Sequence, residues 1–208
     1  MTETINYFTN MAILEWIAVL TGLSYTVLAA RGNIWCWPAA LVSTVLYTYI
    51  FYDFYLWMDS LLQVYYFAMA IYGWLCWRNR QEISVNEEIV IKSWHWHKHS
   101  LVIGGLAVIS LVVGWLMASF TPAHFPYMDA ATTVFSVFAT YLIAQKVLEN
   151  WLYWLVIDAV SIYIYLEKGL QPTAFLFALY TMIVCFGYWH WLTLAKRQSE
   201  TPSQLVLD

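Results

Sequence analysis

The sequence predicts an all-α integral membrane protein of seven transmembrane helices, ordered as three helices, a lone fourth and three more. Three observations carry that expectation. Hydrophobic residues occupy 62% of the 208 positions and charged residues 11%, which leaves too little polar surface to coat a soluble helical bundle. Seven apolar runs are long enough to cross a hydrocarbon core about 30 Å thick, a distance that takes roughly 20 helical residues. Two stretches of the chain also repeat one another four spans apart, and an internal repeat constrains a fold strongly.

The runs lie at about 12–30, 34–52, 56–77, 101–119, 127–146, 150–167 and 172–192. Spans one, three and five open on Glu15, Asp59 and Asp129, acids that the positive end of a helix dipole tolerates. Pro38, Pro126 and Pro172 fall in the first turn or so of spans two, five and seven, where a missing N–H costs little. No proline lies mid-span, so continuous helices moving as bundles are expected. Span six is the shortest run and carries Asp158; its match to span two identifies it as a span. Residues 78–100 form a polar connector too short for a domain, and 193–208 a polar tail. The expected organisation is a first three-helix repeat at 12–77, the connector, a linker helix at 101–119, a second repeat at 127–192 and the tail.

Lysine and arginine in the short loops set the orientation. Arg31, Arg78, Arg80, Lys92, Lys98, Lys146, Lys196 and Arg197 fall on one face, and Lys168 alone on the other. The N-terminus is therefore expected outside and the C-terminus in the cytoplasm. No positively charged segment precedes span one, which reads as a retained helix and not a cleaved signal. Nothing resembles a basic nucleic-acid surface. Cys36, Cys76 and Cys185 suggest no disulfide framework.

The repeat places Asn33 on Asn150, Trp37 on Trp154 and Thr44 on Ser161. After a three-residue gap in the following loop, Tyr66 meets Tyr180, Gly73 meets Gly187 and Trp77 meets Trp191. An offset of four spans keeps the direction of travel, so the repeat is parallel. Span one finds no convincing partner in span five by this route.

Ionisable groups inside a span mark functional sites by default, because each costs about 2.5–3.5 kcal/mol or more at the centre. Asp158 is the one deep acid, about 12 Å along its helix from Asn150. Its bland reading is a structural hydrogen bond to a neighbouring helix. Against that, Asn150, Trp154, Asp158, Ser161 and Tyr165 follow helical spacing and share one face, which must meet protein or a water-filled cavity. Span three carries a second stripe: Asp59, Gln63, Tyr66, Ala70, Gly73 and Trp77. In the aligned halves Asp158 faces Leu41 and Gln63 faces Phe177, so one asymmetric site between the halves is expected. Trp154 beside an acid suits a flat cation. Most other tryptophans sit at aromatic-belt depth. The Trp94–His99 run admits a metal reading through His95 and His99, but no acid or cysteine lies within it; an interfacial stretch is the simpler account. No cofactor and no metal are expected.

The stretches N-I-W-C-W-P in span two, D-S-L-L-Q-V-Y-Y and Y-G-W in span three, and E-N-W-L-Y-W-L-V-I-D in span six resemble the Pnu family of bacterial vitamin transporters, over nearly the whole chain. The resemblance implies a SWEET-like fold and facilitated diffusion of an unphosphorylated vitamin, trapped by a cytoplasmic kinase. It implies a bacterial inner-membrane location and a possible homotrimer. Nicotinamide riboside is the expected substrate on family prevalence, with thiamine the alternative. By motif, substrate contact falls on Gln63, Asn150, Trp151 and Trp154, with Asp158 a further contact; Tyr66 and Ser161 lie on the same stripes. Asn33, Trp35 and Trp37 are read as gate or packing.

Two other classes compete. A retinal photoreceptor needs a lysine within a span, and none is present; a ligand-sensing heptahelical receptor would be expected to carry longer cytoplasmic loops. An intramembrane enzyme would need catalytic motifs such as H-E-x-x-H or G-x-S-x-G, which do not occur. The chain is not expected to be an enzyme.

Overall fold

The computed structural model describes residues 13–53, 57–83 and 90–204, and within them seven helices account for almost every residue. They are α1 (Ile13–Ala30), α2 (Cys36–Asp53), α3 (Trp57–Ile83), α4 (Trp96–Phe120), α5 (Pro126–Ala144), α6 (Asn150–Glu167) and α7 (Gln171–Gln204). The start of the chain, where span one was expected to begin, lies outside the described residues, as does the side chain of Asp59. Four stretches, α1, α4, α5 and Thr173–Gln198 of α7, are long and apolar enough to cross a membrane by length and hydropathy. The other three helices carry Trp, Tyr, Thr and Ser, which score low on hydropathy scales yet are at home in helices that pack on one another. Several helices outrun the apolar runs that announce them. α3 continues to Ile83, α4 begins at Trp96, and α7 continues past residue 192 through Leu194, Ala195, Lys196 and Arg197, all good helix formers.

The chain divides into two compact units, residues 1–89 and 90–208. In the first, α2 is the middle helix, packed on both α1 and α3. Ser43 of α2 donates to the Ala18 carbonyl of α1 (3.1 Å), and Ser60 of α3 donates to the Thr48 carbonyl of α2 (3.0 Å). In the second unit α6 is the middle helix between α5 and α7, and α4 packs along α5. Gly114 makes that α4–α5 contact close: a Cβ there would stand 2.9 Å from the Tyr127 Cα.

The two units repeat one another at a constant offset of 114 residues, and the repeat includes the first helix. Ala30 and Ala144 end α1 and α5; Cys36 and Asn150 begin α2 and α6; Asp53 and Glu167 end them; Trp57 and Gln171 begin α3 and α7. The turns agree bond for bond. Gly32 donates to Ala29 O and Asn33 to Leu28 O; correspondingly Lys146 donates to Ile143 O and Val147 to Leu142 O. Both are helix C-terminal turns of the Schellman kind, with the pivot residue left-handed at φ 67° for Gly32 and 56° for Lys146.

The packing of the middle helix repeats as well. Trp37 lies on Gly73 and meets Trp77 edge-on, with ring centroids 5.4 Å apart at 87°. Trp151 lies on Gly187 and meets Trp191 at 5.4 Å and 89°. This corrects the register expected for spans two and six. Trp37 corresponds to Trp151 and not to Trp154, Asn33 to Val147, Asn150 to Cys36, and Asp158 to Thr44. No gap separates the two parts of the repeat. The four-residue spacing of Asn and Trp occurs in both spans but at positions three residues apart in the fold, so the sequence match and the structural match differ by three residues.

Candidate substrate-binding face

Helix α6 presents an unusual inner row. Asn150 is fully buried; its side-chain NH2 donates to the Val147 carbonyl (2.6 Å), while its Oδ1 is buried without a partner. One turn on, the indole N–H of Trp154 is buried and unpartnered. A further turn on, Asp158 is 2% exposed, and its Oδ2 has no hydrogen-bond partner. Ser161, also buried, continues the row. A buried polar atom left unpaired costs about 1–3 kcal/mol, more for a charged group, and such groups are rare in folded proteins. Seven such atoms occur among the described residues, the indole N–H groups of Trp37 and Trp151 included, and three of the seven follow one another on this face of α6; the Trp154 ring also packs against the core of its own unit.

The remaining expected residues of the second unit fall elsewhere. Trp151 projects from the adjoining side of α6 onto Gly187 and Trp191, the position that Trp37 fills in the first unit. Tyr165 stacks on Phe177 (5.3 Å, 27°), and Phe177 meets Tyr180 edge-on (5.9 Å), so the outer part of the α6–α7 seam is aromatic.

In the first unit the equivalents of the polar row are Cys36, Ala40, Thr44 and Tyr47. Thr44, where Asp158 would be, turns its hydroxyl back onto the Ala40 carbonyl (2.8 Å). Gln63 and Tyr66 are half-buried on α3. Asn33 is exposed and accepts the Trp35 N–H (2.9 Å), which fixes the loop that leads into α2. Trp35 is 63% exposed and meets Trp74 edge-on at 6.0 Å. Tyr25 of α1 lies against the Trp37 ring (6.1 Å) and within electrostatic reach of Tyr66; nothing in its sequence context singles it out.

A further cluster joins the Trp94–His99 run to the start of α6. Glu149, just before α6, accepts hydrogen bonds from the Ser93 hydroxyl and the Trp94 N–H (3.3 Å), and approaches His99 Nε2 at 3.6 Å. His99 Nδ1 pairs with the Tyr153 hydroxyl at 2.9 Å. His99 is thus hydrogen-bonded to a phenol and stands near an acid, and among the described residues no group of three or more metal-ligating side chains forms.

The chain is similar to known proteins over most of its length. The family model described as nicotinamide mononucleotide transporter matches residues 12–193. The nicotinamide riboside transporter PnuC of Escherichia coli (strain K12) is 26% identical over 214 residues, covering 92% of this chain and 90% of that one. PnuC of Neisseria mucosa is 27% identical over 194 residues, covering 88% and 73%. The riboflavin/roseoflavin transporter RibM of Streptomyces davaonensis is 24% identical over 187 residues, covering 89% and 87%. A crystal structure of the vitamin B3 transporter PnuC superposes with a TM-score of 0.74 at 23% identity, covering 94% of this chain and 88% of that one.

Proposed function

The chain belongs to the nicotinamide mononucleotide transporter family, and we propose that it carries nicotinamide riboside across the bacterial cell membrane. It is a multi-pass membrane transporter of a small vitamin, not an enzyme. The observation that carries the choice of substrate is Asp158, a carboxyl in the middle of a span whose Oδ2 has no hydrogen-bond partner among the described residues. Nicotinamide riboside offers a pyridinium cation for that carboxylate, a flat ring for Trp154, and an amide and ribose hydroxyls for Asn150 and Ser161. Gln63 and Tyr66 of α3 are proposed as further substrate contacts on the family motif and the α3 stripe alone, and Trp151 joins Trp37 in packing the helix.

Riboflavin, which RibM is named for, is uncharged at neutral pH and leaves a buried carboxylate without a counter-charge, so it ranks below. Thiamine is flat and cationic and is the second reading. Movement is by facilitated diffusion, with a cytoplasmic kinase trapping the product. The N-terminus lies outside, the C-terminus in the cytoplasm, and the protein works as a homotrimer. Calorimetric titration with nicotinamide riboside, thiamine and riboflavin tests the ranking; tightest binding of riboflavin would overturn it. Time-dependent accumulation of labelled nicotinamide riboside in vesicles tests transport itself.

A further inference from the structure

Glu149 is a carboxylate in the position of a helix N-cap that does not cap its helix. Asp, Asn, Ser or Thr at that position accepts from the free N–H groups of the first turn. Glu149 makes no such bond and points instead into the connector, where it accepts from Ser93 and Trp94 and faces His99. The connector is held at three further places. Lys92 donates to the Lys146 carbonyl and accepts from the Leu148 N–H, both at 2.8 Å. The Ile91 N–H reaches the Gln198 side chain of α7 at 3.0 Å. Lys98 lies 3.4 Å over the Trp94 ring, and Trp94 packs against the core that contains Tyr153 and Ile157. Segment 91–99 is therefore a clasp across the end of the second unit, with Glu149 at its centre.

The clasp is not needed to build such a unit. In the first unit Glu149 corresponds to Trp35, which is exposed, yet the same turn, the same helix start and the same Trp–Gly–Trp packing form without it. The clasp accompanies the other difference between the two middle helices, the unpartnered row on α6. It also grips the first turn of that row, since Glu149 adjoins Asn150, and His99 binds Tyr153, the neighbour of Trp154. We infer that Glu149 is a positioning residue for substrate binding: through Ser93, Trp94 and His99 it fixes the rotation of the first turns of α6 and so the aim of Asn150 and Trp154. The inference rests on the assignment of those two residues to the site.

The test is calorimetric binding of nicotinamide riboside to purified Glu149→Ala, Glu149→Gln, Ser93→Ala, Trp154→Ala and the Glu149→Ala/Trp154→Ala double variant, with uptake rates in vesicles. Glu149→Ala should weaken binding about tenfold while the saturated uptake rate changes less than about twofold; Glu149→Gln, which keeps an acceptor for the connector, should stay within about threefold. In the Trp154→Ala background the Glu149→Ala change should cost no more than about threefold, because Trp154 is one of the two side chains that Glu149 aims. Parental affinity for Glu149→Ala, or the same tenfold loss with and without Trp154, overturns the inference. If Glu149→Ala cannot be purified folded, Ser93→Ala decides, with about a two- to threefold loss expected and parental affinity overturning. A Trp154→Ala protein that binds like the parent removes the site assignment and this inference with it, whereas a weakened one beside a parental Glu149→Ala removes the inference alone.

Discussion

Replacing Asp158 with Asn changes charge while keeping shape and one acceptor oxygen, so it isolates the electrostatic part of recognition. Asp158 is 2% exposed and its Oδ2 is unpaired, so little solvent screens it from a cation placed alongside. Opposite unit charges 4 Å apart attract by about 4 kcal/mol at an effective dielectric constant of about 20. Part of that offsets the desolvation of both groups, and hydrogen bonds to charged groups net about 1.5–3 kcal/mol in practice. A loss of about 2 kcal/mol is therefore expected, a weakening of about thirtyfold in the Kd for nicotinamide riboside. The reduced analogue, with a neutral dihydropyridine ring on the same ribose and amide, should bind the Asn variant within about threefold of the parent, since the amide oxygen still accepts. An Asn is also cheaper than an Asp at mid-span, so the variant should insert and purify normally. Paired titrations of the two ligands check this. Equal losses for cation and neutral analogue would refute the counter-ion argument and return Asp158 to a structural role.

Trp154→Ala should raise the Kd for nicotinamide riboside about five- to thirtyfold, the worth of one aromatic stacking and cation–π contact, with the protein still monodisperse by size exclusion. Gly73→Ala and Gly187→Ala drive a methyl into the rings of Trp37 and Trp151, the Gly73 position being the tighter; overpacking of this kind costs about 1–3 kcal/mol. Both should lower the melting temperature in detergent, Gly73→Ala more, and an unchanged melt for either would mean that the ring moves aside freely. Lys168→Met removes a partly exposed ion pair with Asp129 at 3.3 Å and should alter stability by less than about 0.5 kcal/mol. In kinase-free vesicles a protonophore should leave initial uptake intact; abolished uptake would mean proton coupling, with Asp158 the first suspect.

The seven helices were legible because a membrane leaves few alternatives: a run of about 20 apolar residues must close its own backbone hydrogen bonds. Their ends were less legible. Lys196 and Arg197 read as a tail because hydropathy reports where the lipid stops, whereas the helix stops only when its propensity fails, and α7 continues through both. The inner row of α6 was legible from helical spacing alone, since Asn150, Trp154, Asp158 and Ser161 recur every three or four residues. Trp151 was not separable from that row by type or motif; its side is set by Gly187 and Trp191 on another helix. The Trp94–His99 run and the motif that holds Glu149 each stood out, but their pairing was not legible, because Trp94 and Ser93 lie 55 and 56 residues from Glu149 in an irregular connector with no periodicity to read.

The register of the repeat changes what its asymmetry means. Matching Asn33 to Asn150 and Trp37 to Trp154 makes the Asn–Trp pair a shared scaffold and leaves only the acid new in the second copy. At the constant offset of 114, the shared scaffold is instead a buried tryptophan on a glycine with a second tryptophan edge-on, Trp37–Gly73–Trp77 and Trp151–Gly187–Trp191. Cys36, Ala40 and Thr44 then stand where Asn150, Trp154 and Asp158 do, so the amide, the indole and the acid of the row each occur in one copy only. On the third helix the exchange runs the other way, Gln63 in the first unit against Phe177 in the second, which Tyr165 covers. A scaffold maintained at both positions while the groups between its tryptophans diverge is what selection on a single ligand would leave in a duplicated fold. A substitution at Thr44 should therefore be tolerated where one at Asp158 is not.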